Sequence, residues 1–412
     1  MPRVFLDHNA TTPVEPAVLQ ALLPHLGPHF GNASSSYALG TTAREAVARA
    51  RAQVASMLRA RVPREVVFTS GGTESINHAL KGAALAAARA NDRRRHIVTS
   101  CVEHAAVLAT CHWLATTQSF DVTYVPVDAF GCVCVQRVRE ALTAETCVVS
   151  VMLANNEVGT LQPVADIARA VRQFQAETCS GAIVVHTDAS QAIGKVPVNV
   201  QELDVDLLTI AGHKVYAPKG IGALYVREGT RLDTLIHGAP QEHGRRGGTE
   251  NVALIAALGQ ACALVEAHVQ DYAVVMQESK ASLLEHLQKH CSLTNVSYQV
   301  NGHPELVLPN TLSISFENIH APRLLDLIEA DGVCASAGSA CHSHKQYDDT
   351  TEEDKSFEHQ EDNVTISHVL AAMKVAPAFA KGTLRLSVGR STTQEEVLYA
   401  ANAIHKAIQQ LL

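Results

Sequence analysis

A chain of 412 residues with 47% hydrophobic and 18% charged content can bury one large core and a second, smaller one, which excludes a disordered chain. A formal net charge of -8 leaves no basic excess for nucleic acid or an anionic membrane, so no nucleic acid and no membrane are expected as partners, and the ligand should be small. Ten cysteines, scattered without the close spacing of a disulfide framework, read as reduced thiols; Cys132 and Cys134 form CVC rather than CxxC, and no metal is expected.

The N-terminal MPRVFLDHNATTP runs into a strand-like piece and a turn, with neither an Arg- and Ser-rich presequence nor a signal-peptide apolar region, so a cytoplasmic address is expected. No stretch reaches the ~18 uncharged apolar residues of a membrane span. From 16 to 265, strand-length apolar runs alternate with helical spacing, which predicts a large α/β domain with helices on both faces of a sheet. Strands are expected at 66–69, 96–99, 147–153, 183–187 and 207–210, and Ala-rich helices at 42–58 and 75–88. Residues 1–15 and 266–412 are expected to form a smaller α+β domain. Within it, 345–363 holds eight Asp or Glu and almost no apolar residues, the composition of a solvated loop.

Three places carry chemistry. Thr69-Ser70-Gly71-Gly72-Thr73-Glu74-Ser75 follows a strand and opens a helix, where free N–H groups and hydroxyls can cradle a phosphate, although Gly-Gly-Thr also makes an ordinary capped turn. Asp188 follows a buried strand, where open α/β sheets place ligands; it could hold a pyridinium N–H, or merely cap a helix. Lys214, in Gly212-His213-Lys214-Val215-Tyr216-Ala217-Pro218-Lys219-Gly220, can form a Schiff base to an aldehyde, although a lone lysine beside glycines is usually a surface residue.

In that order, the three elements resemble fold-type I pyridoxal-phosphate enzymes, and fuller wording narrows the resemblance to the class V aminotransferase branch of cysteine desulfurases and selenocysteine lyases. Its pieces lie at 6–13, 30–35, 68–77, 102–104, 154–159, 186–191, 212–220, 246–251, 339–341 and 384–387, so it covers nearly the whole chain. The resemblance implies a large α/β domain around a mostly parallel seven-stranded sheet, a smaller α+β domain, and pyridoxal 5'-phosphate as cofactor. Lys214 would be the Schiff-base lysine and proton shuttle, and His104 would stack on the ring and assist proton transfer. Asp188 would pair with the ring nitrogen, and Gln191 and Asn156 would face its phenolic oxygen. Gly72, Thr73 and His213 would bind the phosphate, with Thr249 reaching the phosphate of the other subunit of a homodimer. Arg385 would clamp the substrate carboxylate, with Asn32 and Asn156 also at the substrate. Cys341, in a loop of small residues, would attack sulfur or selenium and leave alanine.

Sulfur and selenium share this fold and cofactor. Ala211 before Gly212, Cys-His-Ser at 341–343, and Gly31-Asn32-Ala33-Ser34-Ser35-Ser36-Tyr37 lean toward a selenocysteine lyase acting on L-selenocysteine. The alternative is a cysteine desulfurase that loads a Cys341 persulfide from L-cysteine for iron-sulfur cluster assembly or tRNA thiolation, and either would hand its product to an acceptor protein. A class V aminotransferase or an inactive cofactor-binding scaffold ranks below both, since neither has a use for Cys341.

Overall fold

The computed structural model describes residues 3–91, 94–178, 181–338 and 366–412. In chain order the elements are β1 (Val4–Phe5), α1 (Pro16–Leu26), α2 (Ala38–Met57), β2 (Val66–Thr69), α3 (Gly72–Ala90), β3 (His96–Ser100), α4 (Ala105–Gln118), β4 (Asp121–Val125), α5 (Val135–Ala141), β5 (Thr146–Ser150) and α6 (Val164–Thr178). There follow β6 (Val184–Asp188), α7 (Val200–Leu203), β7 (Leu207–Ala211), β8 (Gly222–Val226), α8 (Val252–Thr294), β9 (Tyr298–Asn301), β10 (Thr311–Phe316), α9 (Ala321–Ala330), β11 (Val333–Cys334), α10 (His368–Ala372), α11 (Pro377–Ala380), β12 (Thr383–Ser387) and α12 (Gln394–Leu411).

Seven strands form one sheet in the order β2-β8-β7-β6-β5-β3-β4, parallel throughout except for β8, which is antiparallel to both neighbours. Every residue of β3, β5 and β7 is buried, the consequence of helices on both faces, and their near-continuous apolar runs satisfy that environment. On one face, Val47, Ala50 and Val54 of α2 share a core with Ile255 and Leu258 of α8. On the other, Ile76 and Leu80 of α3 pack with Val107 and Leu114 of α4. The helices α2 and α8 cross closely because Gly259 meets Ala50: a Cβ at 259 would lie 2.6 Å from the Ala50 Cα.

The strands expected at 66–69, 96–99, 183–187 and 207–210 are β2, β3, β6 and β7, each within one residue of its expected ends. Residues 151–153 leave the regular ladder after β5, with the Val151 and Leu153 N–H groups still bonded to the His186 and Asp188 carbonyls. Edge strand β4, largely solvent-facing, and antiparallel β8 were not among the expected strands.

A second core gathers Met276, Leu283 and Leu287 of α8 with Ile314, Leu324, Leu386 and Ile404, around the antiparallel sheet β12-β10-β9. The 43-residue α8 thus bridges both cores, started by the Asn251 side chain, which accepts from the Leu254 N–H. By length and composition α8 could cross a membrane, but half of its most apolar window is buried inside the protein. The N-terminal strand β1 lies parallel to β11, which carries the following residues 7–13 to the carboxyl ends of β6 and β7.

Candidate active site

A cavity of about 210 Å³ opens where the parallel strands end, lined by Asn9, Gly72, Thr73, His104, Asn156, Asp188, Gln191, His213, Lys214 and Arg385, among others. These ten residues from seven separate stretches of chain converge there, and nine of them are site residues expected from sequence.

Lys214 sits in a single turn of 3-10 helix directly after β7, which aims it back over the strand ends. Its Nζ donates to the Asn9 carbonyl and, at 2.9 Å, to the Ala10 carbonyl. Asp188 ends β6 with 7% of its surface exposed, and its Oδ1 accepts from the Ser190 N–H at 2.9 Å. His104 caps α4: its Nδ1 accepts the Ala106 N–H, which leaves the proton of the neutral ring on Nε2. At the start of α3, Gly72 packs so closely that a Cβ there would lie 3.2 Å from the Ala211 Cβ and 3.3 Å from the Ser190 Oγ. Thr73 is exposed in the first turn, where unpaired N–H groups favour an anion. Burial, reinforced by Lys214 and Lys219, pushes His213 down to about 4, so this ring is neutral at physiological pH.

Arg385, on β12, is 2% exposed; its Nη2 pairs with Asp7 at 2.7 Å and its Nη1 donates to the Asn156 carbonyl at 3.1 Å. Two buried atoms of the lining, Arg385 Nε and Asn156 Oδ1, have no hydrogen-bond partner among the described residues. A polar ligand in the cavity would meet that deficit. The donor set, comprising a helix N-terminus, a strand-end carboxylate, an imidazole and an amine, fits the phosphate, ring nitrogen and aldehyde of pyridoxal phosphate.

Two expected residues lie elsewhere. Thr249 is exposed and lines a separate cavity of about 260 Å³ with Thr69, Ser70 and Arg246. Asn32 is exposed, its Oδ1 engaged by the Ser34 N–H. Cys341 and the acidic stretch 345–363 lie outside the described residues. Among the described residues no cysteine lines the cavity, and burial pushes Cys111 and Cys262 up to about 12 and Cys147 and Cys291 up to about 11, which makes them poor nucleophiles.

Sequence reasoning assigned no role to Asp7, Asn9, Lys195 or Glu103. Asp7 and Asn9 had a signal, the 6–13 motif, and so did Glu103, inside the 102–104 piece; Lys195 had none beyond being a charged residue in a buried stretch. Glu103 is fully buried and accepts from Ser100 Oγ at 2.5 Å and from the Met152 N–H at 3.0 Å. Burial, reinforced by Asp188, pushes it from 4.5 up to about 8. Between those values the folded protein holds a proton that the unfolded chain has lost. The resulting stability is therefore complete below the unfolded value and disappears as pH rises through about 8. Glu103→Gln, which cannot ionise, should lose less Tm than the parent between about pH 5 and about pH 8.5, by a few degrees in thermal melts. Equal losses would mean that Glu103 is ionised in the folded protein.

The aminotransferase class-V family model matches residues 4–399. The chain is 41% identical over 408 residues to the cysteine desulfurase IscS of Methanosarcina thermophila, covering 99% of this chain and 92% of that protein. It is 41% identical over 397 residues to the cysteine desulfurase of Gluconacetobacter diazotrophicus, covering 96% and 91%. Among solved structures, a NifS-like protein superposes with a TM-score of 0.86 at 35% identity, covering 99% of this chain and all of that one. A structure of SspA in complex with cysteine superposes with a TM-score of 0.75 at 33% identity, covering 94% and 99%. With this cavity and these relatives, the chain belongs to the class V aminotransferase family, in its branch of pyridoxal-phosphate-dependent cysteine desulfurases and selenocysteine lyases.

Proposed function

We propose that the protein is a cysteine desulfurase that takes sulfur from L-cysteine, leaves L-alanine, and holds the sulfur as a persulfide on Cys341. The observation that carries this reading is Arg385: a buried guanidinium lining the same cavity as Lys214 marks an amino-acid carboxylate site in the same cavity as an amine. The selenocysteine lyase reading suggested by Ala211 and Cys-His-Ser takes second place, because the relatives from Methanosarcina thermophila and Gluconacetobacter diazotrophicus carry the desulfurase name and the similar SspA was solved with cysteine.

Bound pyridoxal phosphate supplies an aldehyde and an electron-withdrawing ring, which make the substrate's Cα–H acidic and its Cβ–S bond labile. Gly72, Thr73 and His213 hold the phosphate, with His213 contributing hydrogen bonds rather than charge. Asp188 would hold the ring nitrogen's proton, His104 would stack on the ring, and Asn156 and Gln191 would face its phenolic oxygen. Arg385 would orient the substrate, with Asn32, exposed outside the cavity, left without a substrate contact, and the Lys214 amine would take the Cα proton and return it when alanine forms. The Cys341 thiolate then attacks sulfur: a new S–S bond forms, Cβ–S breaks, and the carbon that keeps the electron pair is protonated to a methyl group. Reach supports Cys341 in this role. Ser336 pairs through its backbone with Arg385, Gly338 lies against Glu157 beside Asn156, and the three residues from 338 to 341 span at most ~10 Å.

A homodimer belongs to the proposal. Leu19, Leu23, Leu26, Phe30, Tyr37 and Leu39 are exposed apolar residues on α1, the segment after it and the first turn of α2, and a second copy would cover them and bring Thr249 to the neighbouring phosphate. So do a sulfur-accepting protein partner, a division into a large domain (16–265) and a small one (1–15 with 266–412), and a cytoplasmic address, in keeping with the free thiols among the described cysteines. The test is alanine release from L-cysteine and L-selenocysteine side by side with a reductant present. Cysteine turnover of the parent, lost by about 10²-fold or more in Cys341→Ser, is the expected result. Turnover of selenocysteine alone would establish the lyase, and alanine from neither would end both readings.

A further inference from the structure

Lys195 lies beneath the cavity in the turn that follows β6, 4% exposed, and no carboxylate faces it among the described residues. Its charged neighbours are Lys214, Arg385 and the buried ring of His8, all basic. Burial and the neighbouring Lys214 and Arg385 push the Lys195 amine's pKa well down, so enclosing it there is costly and simple packing does not account for it: a methionine would fill the same space without that cost. Its hydrogen bonds are more informative. Lys195 Nζ donates to Gln191 Oε1 at 2.6 Å and to Asn9 Oδ1 at 2.9 Å.

The Asn9 carbonyl can only accept and the Lys195 amine donates, so Gln191 turns its NH2 toward that carbonyl and its oxygen toward Lys195. One amide hydrogen then goes to the Asn9 carbonyl at 3.0 Å, the same carbonyl that receives Lys214 Nζ, and the other is left for an acceptor in the cavity that Gln191 lines. Asn9 is itself immobile. It is fully buried, its Oδ1 also accepts from Asn310, and its Nδ2 donates to Thr311 and to the Asn156 carbonyl.

We propose that Lys195 is a positioning residue that acts through Gln191, locking its amide with the N–H side toward the cofactor oxygen and steadying the Asn9 carbonyl that receives Lys214. This rests on the cofactor site proposed above. Without Lys195, Gln191 Oε1 loses its donor and the amide can rotate to present oxygen to the cofactor oxygen, a repulsive arrangement.

The test uses the holoprotein and the apoprotein of the parent, Lys195→Met, Lys195→Gln, Gln191→Ala and the Lys195→Met/Gln191→Ala double variant. Three quantities are measured: affinity of the apoprotein for pyridoxal phosphate, the pH titration of the visible band, and kcat and KM with L-cysteine. Lys195→Met should weaken cofactor affinity about tenfold, shift the titration, and lower kcat about tenfold with KM within about threefold. Lys195→Gln, which keeps a donor, should recover part of each. The double variant should be no worse than Gln191→Ala alone, because both changes break one chain of contacts. Effects of Lys195→Met and Gln191→Ala that multiply, or a Lys195→Met protein altered only in Tm, would overturn the proposal. If Lys195→Met does not fold, Lys195→Gln with Gln191→Ala provides the same cycle. A parent protein that binds pyridoxal phosphate but does not turn over cysteine would count against the desulfurase reading, while the affinity and titration data would still judge Lys195.

Discussion

Lys214→Ala should abolish the visible absorbance of the purified protein and lower alanine formation by about 10⁴-fold, the scale of losing the group that moves the proton. The change should do this without unfolding the chain. Lys214 Nζ donates to the backbone carbonyls of Asn9 and Ala10, and the turn that carries it is closed by backbone bonds from Val215 and Ala217 to Gly212. A Tm within a few degrees of the parent, measured beside the absorbance spectrum, should therefore accompany the lost band. A variant that kept both its band and its turnover would remove Lys214 from the mechanism.

Arg385→Ala should reduce kcat/KM for L-cysteine by about 10³-fold, mostly through KM, because its guanidinium, on β12, is the arginine that lines the cavity and can grip a carboxylate with its planar fork. Part of its cost will appear as lost stability: truncation leaves Asp7 without its 2.7 Å partner and the Asn156 carbonyl without its donor. Arg385→Lys separates the two effects. It keeps a charge near Asp7 but lacks the planar fork that grips a carboxylate, so Tm should recover more than kcat/KM does. Kinetics of the Lys variant equal to those of the parent would place the substrate carboxylate elsewhere.

Much of this was legible in the chain itself. Strands buried on both faces need uninterrupted apolar runs, so β2, β3, β6 and β7 could be read directly; β4, half solvated at the sheet edge, carries no such run, whereas β8 is a fully buried GALYV that directly follows the Gly-rich turn after Lys214 and was absorbed into that motif. Lys214, Asp188, Gly72 and Thr73 were found because each follows a strand in a turn of characteristic residues. Glu103 and Lys195 were not, because a charged residue in a sequence looks the same whether it faces water or is fully enclosed. Burial is a property of the neighbours, and those of Lys195 come from residues 9, 191, 214 and 385.

The sequence by itself determined the order of strands and helices, the family, and the identity of the residues able to do the chemistry, since these depend on local periodicity and on side-chain type. Only the tertiary structure decided how they meet. Folding brings Asp7 and Asn9 from the first strand's exit against Arg385 from the last strand, across 378 positions of chain, turns the Gln191 amide, raises Glu103 and lowers His213. The physical reason is that orientation and proton affinity are set by distance and desolvation, which act through space between residues that sequence order holds far apart.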